Sequence, residues 1–277
     1  MKIYGVVVLY NPTEENIRHI LEYAPIVERL YVMDNSEAVS EELLAHFSSM
    51  PNIVIVSMGG NQGIAAALRC GVQCAIDDNA DFCLTMDQDS VFPVSAMDDI
   101  KKYLARDDVD DYGIIALNAQ FKRDDTGLVE VPMIITSGNF INIKNYRMID
   151  GFRSELFIDS VDFDLCHQFY IIDKKIAYIA EIKLGHKLGN SVVKNLIIRK
   201  ITLTNHSPLR CYYRFRNNYV LYREDKKFYK DVRKGDIKHL IKIILFEKNK
   251  RAKLKMIRLG RKHAKQGKLG KLEIRLT

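Results

Sequence analysis

A chain of 277 residues, 47% hydrophobic and 28% charged, is long and apolar enough to bury a sizeable core, which excludes a disordered protein and fits one large domain or a domain with an extension. Its net charge of +7 hides an asymmetry: residues 1–198 hold 17 Lys+Arg against 29 Asp+Glu, a balance of −12, whereas residues 199–277 hold 25 against 6, a balance of +19. The acidic first part would repel a phosphate backbone, so no nucleic-acid partner is expected for it, while the basic end suits an anionic membrane surface, a homodimer interface or the acidic part of its own chain.

Short apolar runs over 3–9, 29–33, 53–57 and 82–86 alternate with helical patterns at about 13–23, 38–48 and 64–76, the signature of βαβ units on a mainly parallel sheet. The first run, within Met1–Tyr10, is too short to span a membrane and has no small-residue cleavage site after it, so it reads as a buried strand. Each run ends in a polar turn: Tyr10-Asn11-Pro12, Asp34-Asn35-Ser36, Gly59-Gly60-Asn61-Gln62-Gly63 and Asp87-Gln88-Asp89-Ser90. In an open α/β sheet the carboxyl ends of the strands form the ligand edge, so these turns predict one pocket.

After residue 110 the alternation weakens, with strand-like 114–118 and 133–136, the turn Ser137-Gly138-Asn139 and a helix from about 160 to 172, giving a mixed second half. From Arg210 onward Tyr, Arg and Lys dominate. Ile237, Leu240, Ile241, Ile244 and Leu245 recur at helical spacing among Lys238, Lys242 and Lys248, an amphipathic basic helix. The chain therefore divides into an α/β domain over 1–205, whose sheet is flanked by helices, and a basic helical extension over 206–277. Five cysteines without a CxxC pair or zinc-finger spacing point to reduced thiols and a cytoplasmic protein.

Asp87 and Asp89 stand at the end of an apolar strand, where carboxylates serve hard cations such as Mg²⁺ or Mn²⁺ that also take diphosphate oxygens. Asp34 and Asn35 offer acceptors to a ribose or a base edge, or cap the next helix. Gln62 and Gly63 open a small-residue helix whose N–H groups can meet a phosphate; neither GxGxxG nor GxxxxGK[ST] spacing occurs. Asp159, Asp162 and Asp164 crowd a helix start, where acids are favoured by the dipole and one can act as a general base. His186, between two glycines, is a surface residue or a metal ligand. Arg210 and Arg216, in a Tyr/Arg-rich run, suit either a diphosphate or a packed cationic helix.

The order of these turns resembles the family 2 glycosyltransferases of GT-A fold, most of all their bacterial rhamnosyltransferase branch. The resemblance is carried by Val8–Pro12, Asp34-Asn35-Ser36, Asn61–Ala65, Asp87–Ser90, Ser137-Gly138-Asn139, Asp150-Gly151-Phe152, Leu156–Asp162 and Arg210–Asn217. It implies an inverting transfer from a nucleotide-diphosphate sugar, with dTDP-rhamnose the named donor, to a polysaccharide or lipid-linked glycan. It further implies that Tyr10, Asn11 and Asp34 hold the nucleoside, that Asp87 and Asp89 frame metal and diphosphate with His186 completing the metal site, and that Asp162 is the base. Val161 replaces the Glu of the family's commoner Glu-Asp-x-Asp-Leu form, which leaves the base open among Asp159, Asp162 and Asp164. Acceptors on lipid carriers would bring the protein to the inner face of the membrane. Two rivals remain: a sugar nucleotidyltransferase, whose usual glycine-rich basic loop after the first strand is absent here, and a nucleic-acid binder using the basic end alone.

Overall fold

The structure is a computed structural model describing residues 1–38, 41–119, 121, 125–185, 192–195, 200–203 and 205–273. It divides into two compact units, Met1–Ser154 with Asp162–Lys187, and Glu155–Val161 with Leu188–Thr277. The sequence reading instead placed the division after residue 205 and left 155–161 in the catalytic part. The physical reason for the difference is that the side chains of Arg216, Asn217 and Asn218 hold 155–161.

In the first unit β1 (Ile3–Leu9), α1 (Glu14–Tyr23), β2 (Arg29–Asp34), α2 (Glu41–Ala45), β3 (Ile53–Ser57), α3 (Ile64–Asp77), β4 (Phe82–Asp87) and α4 (Met97–Leu104) follow the predicted alternation. Thr13 and Asn16 form a reciprocal capping box at the start of α1. The helix expected over 38–48 is only five residues of α-helix continued by a 3₁₀ turn, His46–Ser49. The chain goes on through β5 (Tyr112–Asn118), β6 (Leu128–Glu130), β7 (Asn139–Asn142), α5 (Ile143–Tyr146), α6 (Val161–Ile171) and β8 (Lys175–Lys183).

The eight strands form one sheet in the order β3-β2-β1-β4-β7-β5-β8-β6. Pairing from β3 to β4 is parallel; β7 runs antiparallel to both β4 and β5, β8 is parallel to β5 and β6 antiparallel to β8. All seven residues of β1 are buried, as a strand covered on both faces requires. The strand expected at 133–136 is not one: residues 131–136 are irregular and the strand begins at Asn139.

α6 seats on the sheet where Gly113 of β5 faces Phe169. A Cβ at Gly113 would lie 2.4 Å from the Phe169 ring, which is fully buried. Gly113→Ala is expected to cost about 1–3 kcal/mol through overpacking. A lowered urea midpoint at unchanged slope would show it.

The second unit holds the hairpin β9 (Val192–Asn195) and β10 (Lys200–Leu203), then α7 (Pro208–Glu224), α8 (Lys230–Phe246) and α9 (Lys250–Lys265). Ser207 caps α7, its side chain accepting from the Arg210 N–H. Cys211, Phe215, Ile243 and Ile257 build its core, and α9 approaches α7 closely because a Cβ at Gly260 would lie only 2.6 Å from the Tyr212 carbonyl oxygen. A buried ion pair, Lys253 Nζ to Glu247 Oε2 at 2.7 Å, is completed by Asn205 Oδ1 at 2.7 Å.

Candidate functional site

Parallel register aligns the strand ends, with Leu9 opposite Asp34, Asp34 opposite Ser57 and Val8 opposite Asp87. The polar turns that follow are bonded to one another. The Tyr10 N–H donates to Gln88 Oε1 at 2.8 Å and Gln88 Nε2 returns a bond to the Tyr10 carbonyl at 3.2 Å, joining the turns after β1 and β4. The Asn11 N–H donates to Ser36 Oγ at 3.0 Å and the Asn35 N–H to the Leu9 carbonyl at 2.9 Å, joining β1 to β2. Asn35 Nδ2 donates to Asn61 Oδ1 at 3.4 Å and Asn35 Oδ1 accepts from the Gln62 N–H at 2.8 Å, tying in the turn before α3. The four turns named from the sequence thus form one rim.

Within the rim Tyr10 is 45% exposed and Asn11 takes a left-handed φ of 47°, a conformation a non-glycine residue keeps only where its surroundings hold it. Asp34 and Asn35 are each 3% exposed, and Asp34 Oδ1 accepts from the Ser36 N–H at 3.2 Å, so both act in the architecture of the turn as well as offering it acceptors. Gly63, at φ 87°, is the N-cap of α3.

Asp87 is half-buried and Asp89 exposed. The Asp87 N–H donates to Ser137 Oγ at 3.0 Å, and that hydroxyl donates to Ser90 Oγ at 2.8 Å, so Ser137 fixes the turn from the far side. Ser137 stands in the turn just ahead of β7, beside β4, a placement that its sequence neighbours alone do not signal. Burial, with the Asp87 charge added, pushes the Tyr23 phenol up, and it stays neutral. Among the described residues no group of three or more His, Cys, Asp or Glu side chains is arranged to hold a cation alone. Two carboxylates at a strand end fit Mg²⁺ or Mn²⁺ as partial ligands, with phosphate oxygens supplying the remainder. His186 lies outside the described residues; its neighbour Gly185 bridges Val91, two residues beyond Asp89, through backbone bonds of 2.6 and 2.9 Å.

The three carboxylates near residue 160 have different surroundings. Asp159 accepts from Arg210 Nε at 3.2 and 3.3 Å. Asp164 is 2% exposed, bonded to Arg153 at 3.1 Å and to Gln168 Nε2 at 2.8 Å. Gln168 also exchanges bonds with the backbone of Gly151, at 2.9 and 3.0 Å, so Asp150-Gly151-Phe152 belongs to the anchoring of α6. Asp162 is only partly buried, in the first turn of α6, where its carboxylate accepts from the Phe163 N–H at 3.0 Å.

Arg216 requires a correction. It is fully buried, and its guanidinium donates to the carbonyls of Gly270 at 2.6 Å, Glu155 at 3.3 Å and Leu156 at 3.0 Å and to Asn217 Oδ1 at 2.9 Å. A guanidinium enclosed by its own chain in this way is a packing element, and no face of it is left for a diphosphate. Asn217 Nδ2 contacts the carbonyls of Leu156, Ile158 and Asp159 at 2.9, 2.8 and 2.9 Å. Ser160 Oγ bonds Asn218 Oδ1, whose Nδ2 donates to buried Asp236 at 2.8 Å. The segment so gripped holds three non-glycine residues in left-handed geometry, Phe157, Asp159 and Ser160 at φ 66, 66 and 65°. Each such residue costs on the order of 1 kcal/mol and is kept by bonds that overdetermine it.

A parallel half-sheet with polar turns bonded into one rim, extended by mixed strands, is the GT-A class of nucleotide-sugar transferases. The chain matches the profile described as Glycosyl transferase family 2 over residues 6–177, and it belongs to that family. It is 26% identical over 242 residues to the dTDP-rhamnosyl transferase RfbF of Shigella flexneri, covering 80% of each chain. Among solved structures, S. aureus TarS 1-349 aligns with a TM-score of 0.51 at 15% identity over 66% of this chain, which spans 59% of that structure. GalNAc-T7, crystallised with UDP, GalNAc and Mn²⁺, aligns at 0.54 and 11% identity over 67% of this chain and 43% of its own. The structural likenesses bear on the fold. Family membership decides between the glycosyltransferase and nucleotidyltransferase readings in favour of the first.

Proposed function

We propose that this glycosyltransferase is inverting and metal-dependent, taking L-rhamnose from dTDP-rhamnose to a cell-surface polysaccharide or lipid-linked glycan. The observation that carries the reading is the bonded rim: acceptors for a nucleoside at Tyr10, Asn11, Asp34 and Asn35, and carboxylates for a cation-bound diphosphate at Asp87 and Asp89, share one edge of the sheet. Gln62 and Gly63 bring backbone N–H groups and the amino end of α3 to the same edge. Similarity to RfbF supports the donor sugar.

Asp162 is the base in this reading because it falls where the family places its catalytic carboxylate; Asp159 and Asp164 hold the fold through ion pairs with Arg210 and Arg153. It accepts the proton of an acceptor hydroxyl, and the freed oxygen attacks the anomeric carbon from the face opposite the departing nucleotide diphosphate, so configuration inverts. Asp87 and Asp89, with His186, would hold Mg²⁺ or Mn²⁺, which when bound stabilises the charge developing on the leaving diphosphate. Arg210 keeps Asp159 in place through its ion pair.

Incubation with a panel of sugar nucleotides, with and without Mn²⁺, tests the proposal by release of nucleotide diphosphate. dTDP-rhamnose is expected to give the fastest release, and only with the metal. Asp89→Ala is expected to abolish the metal-dependent part of nucleotide binding, lowering affinity at least as much as the about 10–100-fold that loss of an outer-shell partner of a metal ligand costs. Equal binding by this variant with and without metal at the wild-type level would remove Asp89 from the site.

A further inference from the structure

α8 has two unlike faces. Asp236, His239 and Ile243 are buried, with Leu240 packed beside Ile243 in the core of the second unit. On the opposite side Ile237, Ile241, Ile244 and Leu245 are 47, 50, 47 and 56% exposed. Lys230 and Lys234 continue this side toward the start of the helix at the same helical spacing, and Lys238 borders it; all three are exposed. The one acidic residue among the exposed positions of α8, Asp231, is paired to Lys234 at 2.9 Å. Just past the helix Lys248, Lys250 and Arg251 are exposed as well.

A single exposed isoleucine on a surface is ordinary. Four large aliphatic side chains on one face of one helix, framed by lysines, match a helix that lies in the plane of a membrane interface. There the apolar side chains enter the acyl boundary and the ammonium groups meet lipid phosphates. We infer that this face of α8 docks the protein on an anionic lipid bilayer. Among the described residues no helix is long and apolar enough to cross a membrane, so the contact is one of lying on the surface. Charge selects the occupant: a second copy joined through this face by two-fold symmetry would set these lysines against their own duplicates. A nucleic-acid backbone would satisfy the lysines and leave the isoleucines in water. The docking surface is independent of the transfer chemistry.

The chain contains no tryptophan, so Ile241→Trp supplies a single emission reporter in the otherwise unaltered chain. Its emission is expected to shift to the blue on vesicles of phosphatidylglycerol and phosphatidylcholine, and to be quenched by brominated acyl chains. Met148→Trp, replacing a residue 59% exposed in the first unit, is expected to respond to neither. In flotation assays the wild type is expected to bind those vesicles, to ignore pure phosphatidylcholine and to dissociate in high salt as the lysines are screened. Combined Ile237→Ser, Ile241→Ser and Ile244→Ser should lower partitioning about tenfold or more with helical content unchanged. Full vesicle binding by the serine variant, or unmoved Ile241→Trp emission, overturns the inference. So does a wild type that never floats and that the same substitutions convert from dimer to monomer, which would make the face an interface between copies.

Discussion

Asp162→Asn should leave nucleotide binding and folding intact while transfer falls by about 10²–10⁴-fold, the usual contribution of a positioned general base. The amide keeps the size of the carboxylate and can still accept from the Phe163 N–H, so the first turn of α6 has no reason to rearrange. The neighbouring acids should behave otherwise. Asp164→Asn weakens a buried pair with Arg153 and a bond from Gln168, and should appear first as lost stability. Asp159→Asn releases Arg210, itself about half exposed, and should affect folding less than Asp164→Asn does. Donor affinity by calorimetry, transfer rate with acceptor and urea midpoints for all three variants separate these outcomes. Retained turnover in Asp162→Asn would move the base elsewhere.

Arg216→Leu is expected to be among the most destabilising single changes in the chain, by about 3 kcal/mol or more. It takes the guanidinium donor from the Gly270 carbonyl and one of several donors from the carbonyls of Glu155 and Leu156, leaves Asn217 Oδ1 without Nε, and removes the cation from over the Tyr212 and Tyr213 rings at 5.3 and 5.0 Å. Arg216→Lys should rescue little, because an ammonium cannot reproduce a planar fork aimed at several acceptors. Urea unfolding measures the loss. In the fraction that remains folded, transfer should slow more than donor affinity falls, since Ser160 and Val161 lead directly into the turn that carries Asp162. A variant with wild-type stability and a selective loss of nucleotide affinity would restore Arg216 to the diphosphate site.

The first hundred residues are legible because their pattern is local. Apolar runs covered on both faces, such as Ile3–Leu9 and Phe82–Met86, end abruptly in polar turns, and parallel pairing then places those turns together. β7 was not legible. Asn139-Phe140-Ile141-Asn142 has polar ends and low intrinsic preference for a strand, and becomes one because β4 and β5 bond it on either side, a tertiary fact no window of sequence contains. The apolar Met133-Ile134-Ile135 looked more like a strand and is irregular chain. Arg216 misled for a related reason. In a run of tyrosines and arginines its charge suggests a ligand, and only the folded chain shows carbonyls of residues 155, 156 and 270 around it. The same contacts account for the unexpected grouping of 155–161 with the terminal helices.

That grouping ties heredity to architecture. Seven residues, 155–161, take bonding partners from α7, 58 to 61 positions further along, so recombination that exchanged the basic region for an unrelated one would also take away the supports of the stretch ahead of Asp162. The lysines and isoleucines on the outer side of α8 answer only to the surface they meet, whereas Arg216, Asn217 and Asn218 must travel with the enzyme.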